Sequence, residues 1–262
     1  MNSPKVSVIT ANYNCENFLG QTIDSVLNQK FKDWEYIIAD DGSTDNSIAI
    51  IEQKFKGLQN VKLLKLKSNS GPAYARNHAL KKAQGRYISF IDSDDLWEPE
   101  FLEKMIAFIE EKQITFAYSS YCRITEDGQK LDQYTVPDKV NYHDILKSCP
   151  ICPLTTIYDT SILGKVLMPD IPKREDYGLF IALLKKTKFA YALQKPLAHY
   201  RVREGSVSSN KIFIAKKQWD VYRRYEKLSF LKSVYYFTHY MFFGFLKYKG
   251  IFFFKLNRAQ KK

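Results

Sequence analysis

The stretch Gly85-Arg-Tyr-Ile-Ser-Phe-Ile-Asp-Ser-Asp-Asp95 decides the fold that this sequence predicts. Residues 86–91 are short, apolar and rich in β-branched and aromatic side chains, which is typical of a buried strand. Three carboxylates follow at once, at Asp92, Asp94 and Asp95. Because ligands of an open α/β sheet bind beyond the carboxyl ends of its strands, this stretch predicts a sheet together with a site at its edge.

Similar strand-like segments lie on both sides of this stretch, and helical patterns lie between them. The predicted strands cover residues 5–10, 35–39, 61–66 and 114–124. Leu19, Ile23 and Val26 recur at the spacing of one helical face. Gly71-Pro72 opens an alanine-rich helix, and Gly85 is expected to end it in the left-handed conformation.

Two more helices are predicted, over residues 99–112 and 176–186, whereas residues 125–174 are irregular by pattern. The alternation of helices with nearly continuous apolar strands predicts an α/β fold. Its sheet is expected to be mixed and mostly parallel, with helices on both faces.

The composition places few limits on function. A chain of 262 residues, 45% of them hydrophobic, is long enough for one large core. Four cysteines are too few for a disulfide scaffold and suit a reducing compartment. The first residues lack a basic segment followed by an apolar one, so a cytoplasmic location is expected.

The positive charge is concentrated at the C-terminal end. Residues 211–262 hold 13 of the basic and 2 of the acidic residues, as well as 16 of the 39 aromatic ones. This end is expected to form a basic, aromatic, helical extension that contacts an anionic surface. Its uncharged run, residues 233–246, is too short to span a bilayer, so interfacial binding to anionic lipid is favoured. The alternative is a helical hairpin that packs on the rest of the protein.

The acidic cluster itself has two interpretations. Three carboxylates within four positions repel one another, and a divalent cation would relieve that repulsion. Hard oxygen ligands suit Mg²⁺ or Mn²⁺, particularly when substrate phosphates complete the coordination. The alternative is an acidic turn that caps the helix beginning at Pro99.

Five motifs, in this order, resemble glycosyltransferase family 2. They are Val6-Ser-Val-Ile-Thr-Ala-Asn-Tyr-Asn14, Asp40-Asp-Gly-Ser-Thr-Asp45, Asn69-Ser-Gly-Pro-Ala-Tyr-Ala-Arg-Asn77, Gly85 to Asp95, and Glu175-Asp176. The resemblance implies an inverting enzyme with the GT-A fold over residues 1–210. Residues 1–115 would then bind the nucleotide sugar, residues 116–210 the acceptor, and residues 211–262 the membrane surface.

The resemblance also implies roles for residues that bind the donor nucleotide. Ala11 and Tyr13 match positions that hold the nucleoside, with the Tyr13 ring on the base. Asp41 matches the carboxylate that reads the uracil N–H. Arg76 matches a basic residue that faces the donor.

The same resemblance implies the metal ligands and the base. Asp94 matches the direct ligand of Mn²⁺ or Mg²⁺, and Asp92 lies nearer the ribose and the metal waters. Asp176 matches the catalytic base, while Asp95 is expected to cap the following helix. Arg203 stands where many relatives have histidine, and it could meet the phosphates but not the metal.

The expected activity is therefore transfer of a hexose from a UDP-sugar to a glycan acceptor in bacterial surface polysaccharide synthesis. The acceptor is expected to be lipid-linked, and the enzyme to lie on the cytoplasmic face of the inner membrane. A nucleotidyltransferase would also use carboxylates and a metal, but its Gly-rich basic loop is missing after the first strand. A nucleic-acid-binding protein would explain the C-terminal end alone and leave the aspartates unexplained, so no nucleic acid partner is expected.

Overall fold

Ten strands form one mixed sheet in the computed structural model, which describes residues 3–203 and 211–248. The strands are β1 Val6–Asn12, β2 Trp34–Asp40, β3 Val61–Lys65, β4 Tyr87–Phe90, β5 Leu96–Trp97, β6 Phe116–Ile124, β7 Lys130–Tyr134, β8 Lys139–Val140, β9 Ile157–Asp159 and β10 Ala190–Arg201. Their spatial order is β3-β2-β1-β4-β9-β6-β10-β5, with β7 beside β6 and β8 beside β10. The predicted α/β fold with a mixed sheet is confirmed.

Nine α-helices lie within the same described residues. They are α1 Glu16–Leu27, α2 Ser47–Phe55, α3 Pro72–Lys82, α4 Phe101–Lys112, α5 Tyr142–Lys147, α6 Thr160–Leu163, α7 Glu175–Leu184, α8 Lys211–Asp220 and α9 Phe230–Tyr248. A π-helical segment, Val221–Tyr225, joins the last two closely.

The strand side chains alternate between two apolar layers. On β1, Val6 and Val8 are fully buried in a cluster with residues of α1 and α4, whereas Ile9 points into a second cluster with residues of α3 and α7. This two-residue period is what a strand buried on both faces requires. The helices therefore cover both faces of the sheet, as predicted.

Parallel pairing dominates among the strands of the N-terminal half. Strands β3, β2, β1 and β4 are parallel neighbours, as are β6 and β10. The short strand β9 lies antiparallel between β4 and β6 and joins the two groups. The carboxyl ends of β1, β2 and β4 consequently meet at one edge of the sheet.

Two expectations about local structure were wrong. Residues 125–174 contain three short strands and two helices, because antiparallel edge strands such as β7 are mostly exposed and lack the apolar run of a buried strand. Gly85 has no positive φ, and α3 ends at Lys82. Glycine is needed there because a Cβ would collide with the backbone of Val6 and Ser7.

The described part of the C-terminal extension is helical, as predicted, and it packs on the sheet domain. Val221, Tyr222 and Tyr236 belong to the same buried cluster as the residues of α7. The hydroxyl of Tyr222 donates a hydrogen bond to the carbonyl of Leu146 in α5. The boundaries proposed at 115 and 210 stay predictions, and residues 204–210 and 249–262 lie outside the described residues.

None of the described helices has both the length and the apolar character needed to cross a membrane.

Candidate active site

The carboxyl ends of β1 and β2 are tied together by a polar network. The register places Asn12 beside Asp40, and the Asn12 amide donates to the Asp40 carboxylate over 2.7 Å. The other Asp40 oxygen accepts the backbone N–H of Ser43 at 2.9 Å. Asp40 is thus fully engaged in shaping the loop. Ala11 lies partly buried beside it, and Tyr13 follows with 46% of its surface exposed.

Asp41 connects this loop to the start of α3. It is buried, and its carboxylate accepts the backbone N–H groups of Ser70 and Gly71 at 3.0 and 2.7 Å. Gly42 next to it has a φ of 79°, a conformation that glycine adopts without strain. Asp41 therefore positions the Asn69-to-Gly71 loop, and its proposed contact with uracil remains a prediction.

Arg76 on α3 connects two acidic groups. One Nη atom lies 2.5 Å from a carboxylate oxygen of Asp92, and the other lies 3.6 Å from a carboxylate oxygen of Glu175. Arg76 is buried, which alone would lower its pKa, but the neighbouring carboxylates of Asp92 and Glu175 raise the pKa above the usual arginine value. The guanidinium thereby connects the end of β4 to the start of α7.

Asp176 lies in the first turn of α7, next to Glu175. Its Oδ1 accepts the backbone N–H of Tyr177 at 2.7 Å, and no described residue donates a hydrogen bond to its Oδ2. Burial raises the pKa of Asp176, while the positive charges of Arg76 and Arg174 oppose that rise. Glu175 forms an ion pair with Arg76, so of these two carboxylates only Asp176 forms no ion pair among the described residues.

Asp94 faces the end of β10. Its carboxylate lies 2.8 Å from Nε of Arg203. Burial raises the pKa of Asp94, and the nearby charge of Asp92 raises it further. The sequence places Arg203 two positions after the last strand residue, where it reaches the acidic cluster directly.

Asp95 has a different place from the one predicted. It is buried, it accepts the backbone N–H of Arg201 at 2.8 Å, and its other oxygen has no partner among the described residues. Helix α4 begins at Phe101, after Glu100, and has no side-chain cap. Asp95 is therefore not a helix cap, because its carboxylate is turned inward to fix the end of β10.

The two carboxylates of this cluster carry the type of ligand atom that a divalent cation prefers, and in this structure each of them is paired with an arginine. Asp92 and Asp94 supply hard carboxylate oxygens, and their mutual repulsion favours a cation. In residues 3–203 and 211–248, no group of three or more His, Cys, Asp or Glu side chains is arranged to hold a metal ion. A cation here would consequently need further ligands from the diphosphate of the donor.

Two arginines of the site were not singled out from the sequence. Arg201, almost fully buried, donates from Nε to the carbonyl of Asp94 at 2.7 Å and holds the acidic loop. Arg174 precedes Glu175 and donates from Nη2 to the hydroxyl of Tyr240 at 2.7 Å. No local pattern marked either residue, because no strand was predicted to end at Arg201 and because Arg174 pairs with a residue 66 positions away.

A mostly parallel sheet with an acidic cluster at the carboxyl ends of its strands is the arrangement of a GT-A glycosyltransferase, and comparison with known proteins gives the same family. The family model for glycosyl transferase family 2 matches residues 7–158. The chain is 42% identical over 238 residues to TuaG of Bacillus subtilis (strain 168), covering 90% of this chain and 94% of that protein. The name of TuaG assigns it provisionally to teichuronic acid biosynthesis as a glycosyltransferase. This chain belongs to glycosyltransferase family 2.

Further relatives point to the same biological setting. The chain is 36% identical to the Escherichia coli UDP-Glc:alpha-D-GlcNAc-diphosphoundecaprenol beta-1,3-glucosyltransferase WfgD, over 93% of this chain and 94% of that one. Staphylococcus aureus TarS, solved in complex with UDP-GlcNAc, superimposes with a TM-score of 0.70 and 28% identity. That match covers 84% of this chain and 64% of the TarS chain. The protein is thus a family 2 glycosyltransferase of bacterial polysaccharide biosynthesis.

Proposed function

We propose that this enzyme transfers a hexose from a UDP-sugar to a hydroxyl group of a lipid-linked glycan, with inversion at the anomeric carbon. The observation that carries the proposal is the position of Asp176, whose carboxylate lies close enough to Arg76 and Asp92 for both charges to act on it. A base on α7 and a donor site at the end of β4 would then lie on opposite sides of the sugar. The names of WfgD and of the TarS complex support the UDP-sugar, and that of WfgD supports the lipid-linked acceptor.

The donor would lie along the ends of β1, β2 and β4. The exposed ring of Tyr13 would pack on the base beside Ala11, and Asp41 would accept the uracil N–H with a remaining lone pair. A Mn²⁺ or Mg²⁺ ion held by Asp94 and Asp92 would stabilise the negative charge on departing UDP. Arg203, which pairs with Asp94, lies where it could turn to the phosphates.

The transfer itself would be a single displacement. The oxygen of the acceptor hydroxyl attacks the anomeric carbon while the bond to UDP breaks, and Oδ2 of Asp176 takes the hydroxyl proton. The raised pKa of Asp176 makes its carboxylate a stronger base than an ordinary aspartate. Arg76 holds Glu175 and Asp92, so the charges on either side of the reacting centre keep their places.

The experiment is UDP or GDP release from a panel of UDP- and GDP-sugars, with an undecaprenyl-diphosphate-linked sugar as acceptor and either Mn²⁺ or EDTA. We expect transfer from a UDP-hexose, loss of transfer with EDTA, and an inverted anomeric configuration by NMR. Transfer from GDP-sugars alone would contradict the donor assignment, and a retained configuration would contradict the single displacement. We place the reaction at the cytoplasmic face of the membrane, where the basic extension would bind.

A further inference from the structure

Helix α9 has two different faces. On the inner face, Ser233 and Tyr236 are buried, and Tyr236 shares a 2.7 Å hydrogen bond with Nδ1 of His143 in α5. Tyr240, one turn further, accepts the hydrogen bond from Arg174. The inner face is therefore docked on the protein, directly against the residue that precedes the Glu175-Asp176 pair.

The outer face of α9 is apolar and exposed. Its apolar members recur at helical spacing and are Leu231, Val234, Tyr235, Met241 and Phe242. Leu231 is 80% exposed and Phe242 is 58% exposed. These two residues lie eleven positions apart along the helix, so the face extends over about 16 Å. An apolar surface of this extent on a helix is the mark of a binding surface.

The charges around this face indicate that its binding partner is negatively charged. Lys227 and Lys232 are exposed and make no ion pair within residues 3–203 and 211–248. The acidic residues between the start of α8 and the end of α9 are Asp220 and Glu226, and both are paired, with Arg224 and Lys185. A second copy of this face would thus offer no free acid to the lysines, whereas the headgroups of an anionic bilayer would.

We propose that the outer face of α9, with Lys227 and Lys232, lies flat on the surface of an anionic bilayer. This proposal deepens the proposed function, on which it rests only for the lipid-linked acceptor. Because Tyr240 on α9 accepts a hydrogen bond from Arg174, which directly precedes α7, the start of α7 would then lie close to the lipid. A sugar attached to a lipid diphosphate could then reach Asp176 without leaving the membrane surface.

The test is flotation of the full chain with vesicles of phosphatidylcholine alone and of phosphatidylcholine mixed with phosphatidylglycerol. We expect binding to the anionic vesicles. In the double variant Leu231→Ser, Phe242→Ser, partitioning falls at least about tenfold, because two large apolar side chains no longer enter the interface. The matched control is Ile162→Ser on α6, which removes an apolar side chain that is 67% exposed on another element and leaves binding unchanged.

The thermal midpoint and UDP-sugar hydrolysis distinguish loss of membrane binding from loss of folding or of activity. Both altered side chains are exposed in the free protein, so the thermal midpoint and UDP-sugar hydrolysis without vesicles should match the unaltered chain. Undiminished flotation of the double variant overturns the proposal, and so does dimerisation of the chain that this variant abolishes. Absence of UDP-sugar hydrolysis in every variant would instead contradict the proposed function and leave the flotation result standing.

Discussion

Asp176 and Glu175 are adjacent carboxylates with different surroundings. Glu175 forms an ion pair with Arg76, whereas Asp176 forms no ion pair among the described residues and accepts one backbone hydrogen bond, from Tyr177. We expect Asp176→Asn to lower the transfer rate by about 10²–10⁴-fold, the usual contribution of a positioned base. Binding of UDP, measured by calorimetry, should remain. The control is Asp170→Asn in the exposed loop before α7, and normal turnover by Asp176→Asn would refute the assignment.

The pKa of Asp176 gives a prediction about pH. Burial raises this pKa, and the charges of Arg76 and Arg174 oppose the rise. A base acts only when deprotonated, so kcat/KM should fall as the pH drops through the raised pKa. Arg174→Met removes one opposing charge, and the acid limb of the profile should therefore move to higher pH.

Tyr240→Phe is the matched control for that variant. It removes the 2.7 Å hydrogen bond from Arg174 but leaves the guanidinium charge in the protein. Its acid limb should stay close to that of the unaltered enzyme. An identical limb in Arg174→Met would show that Asp176 is not the group that titrates.

Arg203 forms an ion pair with the carboxylate of Asp94, which is the proposed metal ligand. Since its Nε lies 2.8 Å from Asp94, Mn²⁺ must compete with it for that oxygen. Arg203→Gln should bind Mn²⁺ several-fold more tightly by electron paramagnetic resonance, and UDP more weakly by calorimetry. Arg123→Gln, which breaks a comparable pair with Asp132 on an edge hairpin, is the control and should change neither. Unchanged Mn²⁺ affinity in Arg203→Gln would argue against the competition.

The sequence predicted these acidic residues better than their partners. Asp92 and Asp94 stand directly after an apolar strand, so their place at the edge of the sheet followed from local pattern. Arg201 and Arg203 reach them only because β10 lies beside β6 and β5, a pairing that no local pattern reveals. Asp95 was misread for the same reason, since its partner lies 106 residues away.

At the scale of elements, Gly85 connects α3 to β4 where no side chain fits. A Cβ at this position would collide with the backbone of Val6 and Ser7, which cannot move without disturbing β1. Gly85→Ala should therefore lower the free energy of unfolding by about 1–3 kcal/mol. The control is Gly20→Ala in α1, where the nearest atom would lie 3.8 Å away and alanine is the better helix former. Urea denaturation of both variants measures the difference, and equal stability would contradict it.

The strands that were predicted differ in burial or in length from the strands that were missed. Strands β1, β2 and β4 are buried on both faces and are continuous in their apolar character. Strand β7 has four exposed residues out of five, and the three residues of β9 are too few to form a pattern. A strand that is buried on both faces has a continuous apolar pattern that can be recognised in the sequence. Most strands in the second half of the sheet lack this pattern and were therefore not predicted.

At the scale of the whole molecule, the C-terminal helices complete the core. A chain of residues 1–210 would lack Tyr222 and Tyr236 and would uncover Tyr177 and Leu146. We expect it to lose on the order of 3 kcal/mol or more of its free energy of unfolding. A chain of residues 1–248 keeps those contacts and should be more stable than the 1–210 chain in urea denaturation. Equal stability of the 1–210 chain would mean that the helices are merely attached to the domain.

The position of β9 sets the order in which a growing chain can fold on the ribosome. Strands β3, β2, β1 and β4 are complete once residue 90 has emerged, but the free edge of β4 pairs only with β9, which is made about 70 residues later. Until then the nascent protein carries an open, apolar strand edge that other chains can join. Slow translation between these two points would therefore increase aggregation, whereas a pause after residue 159 would not. Synonymous changes that slow translation in this interval should therefore lower the yield of folded enzyme.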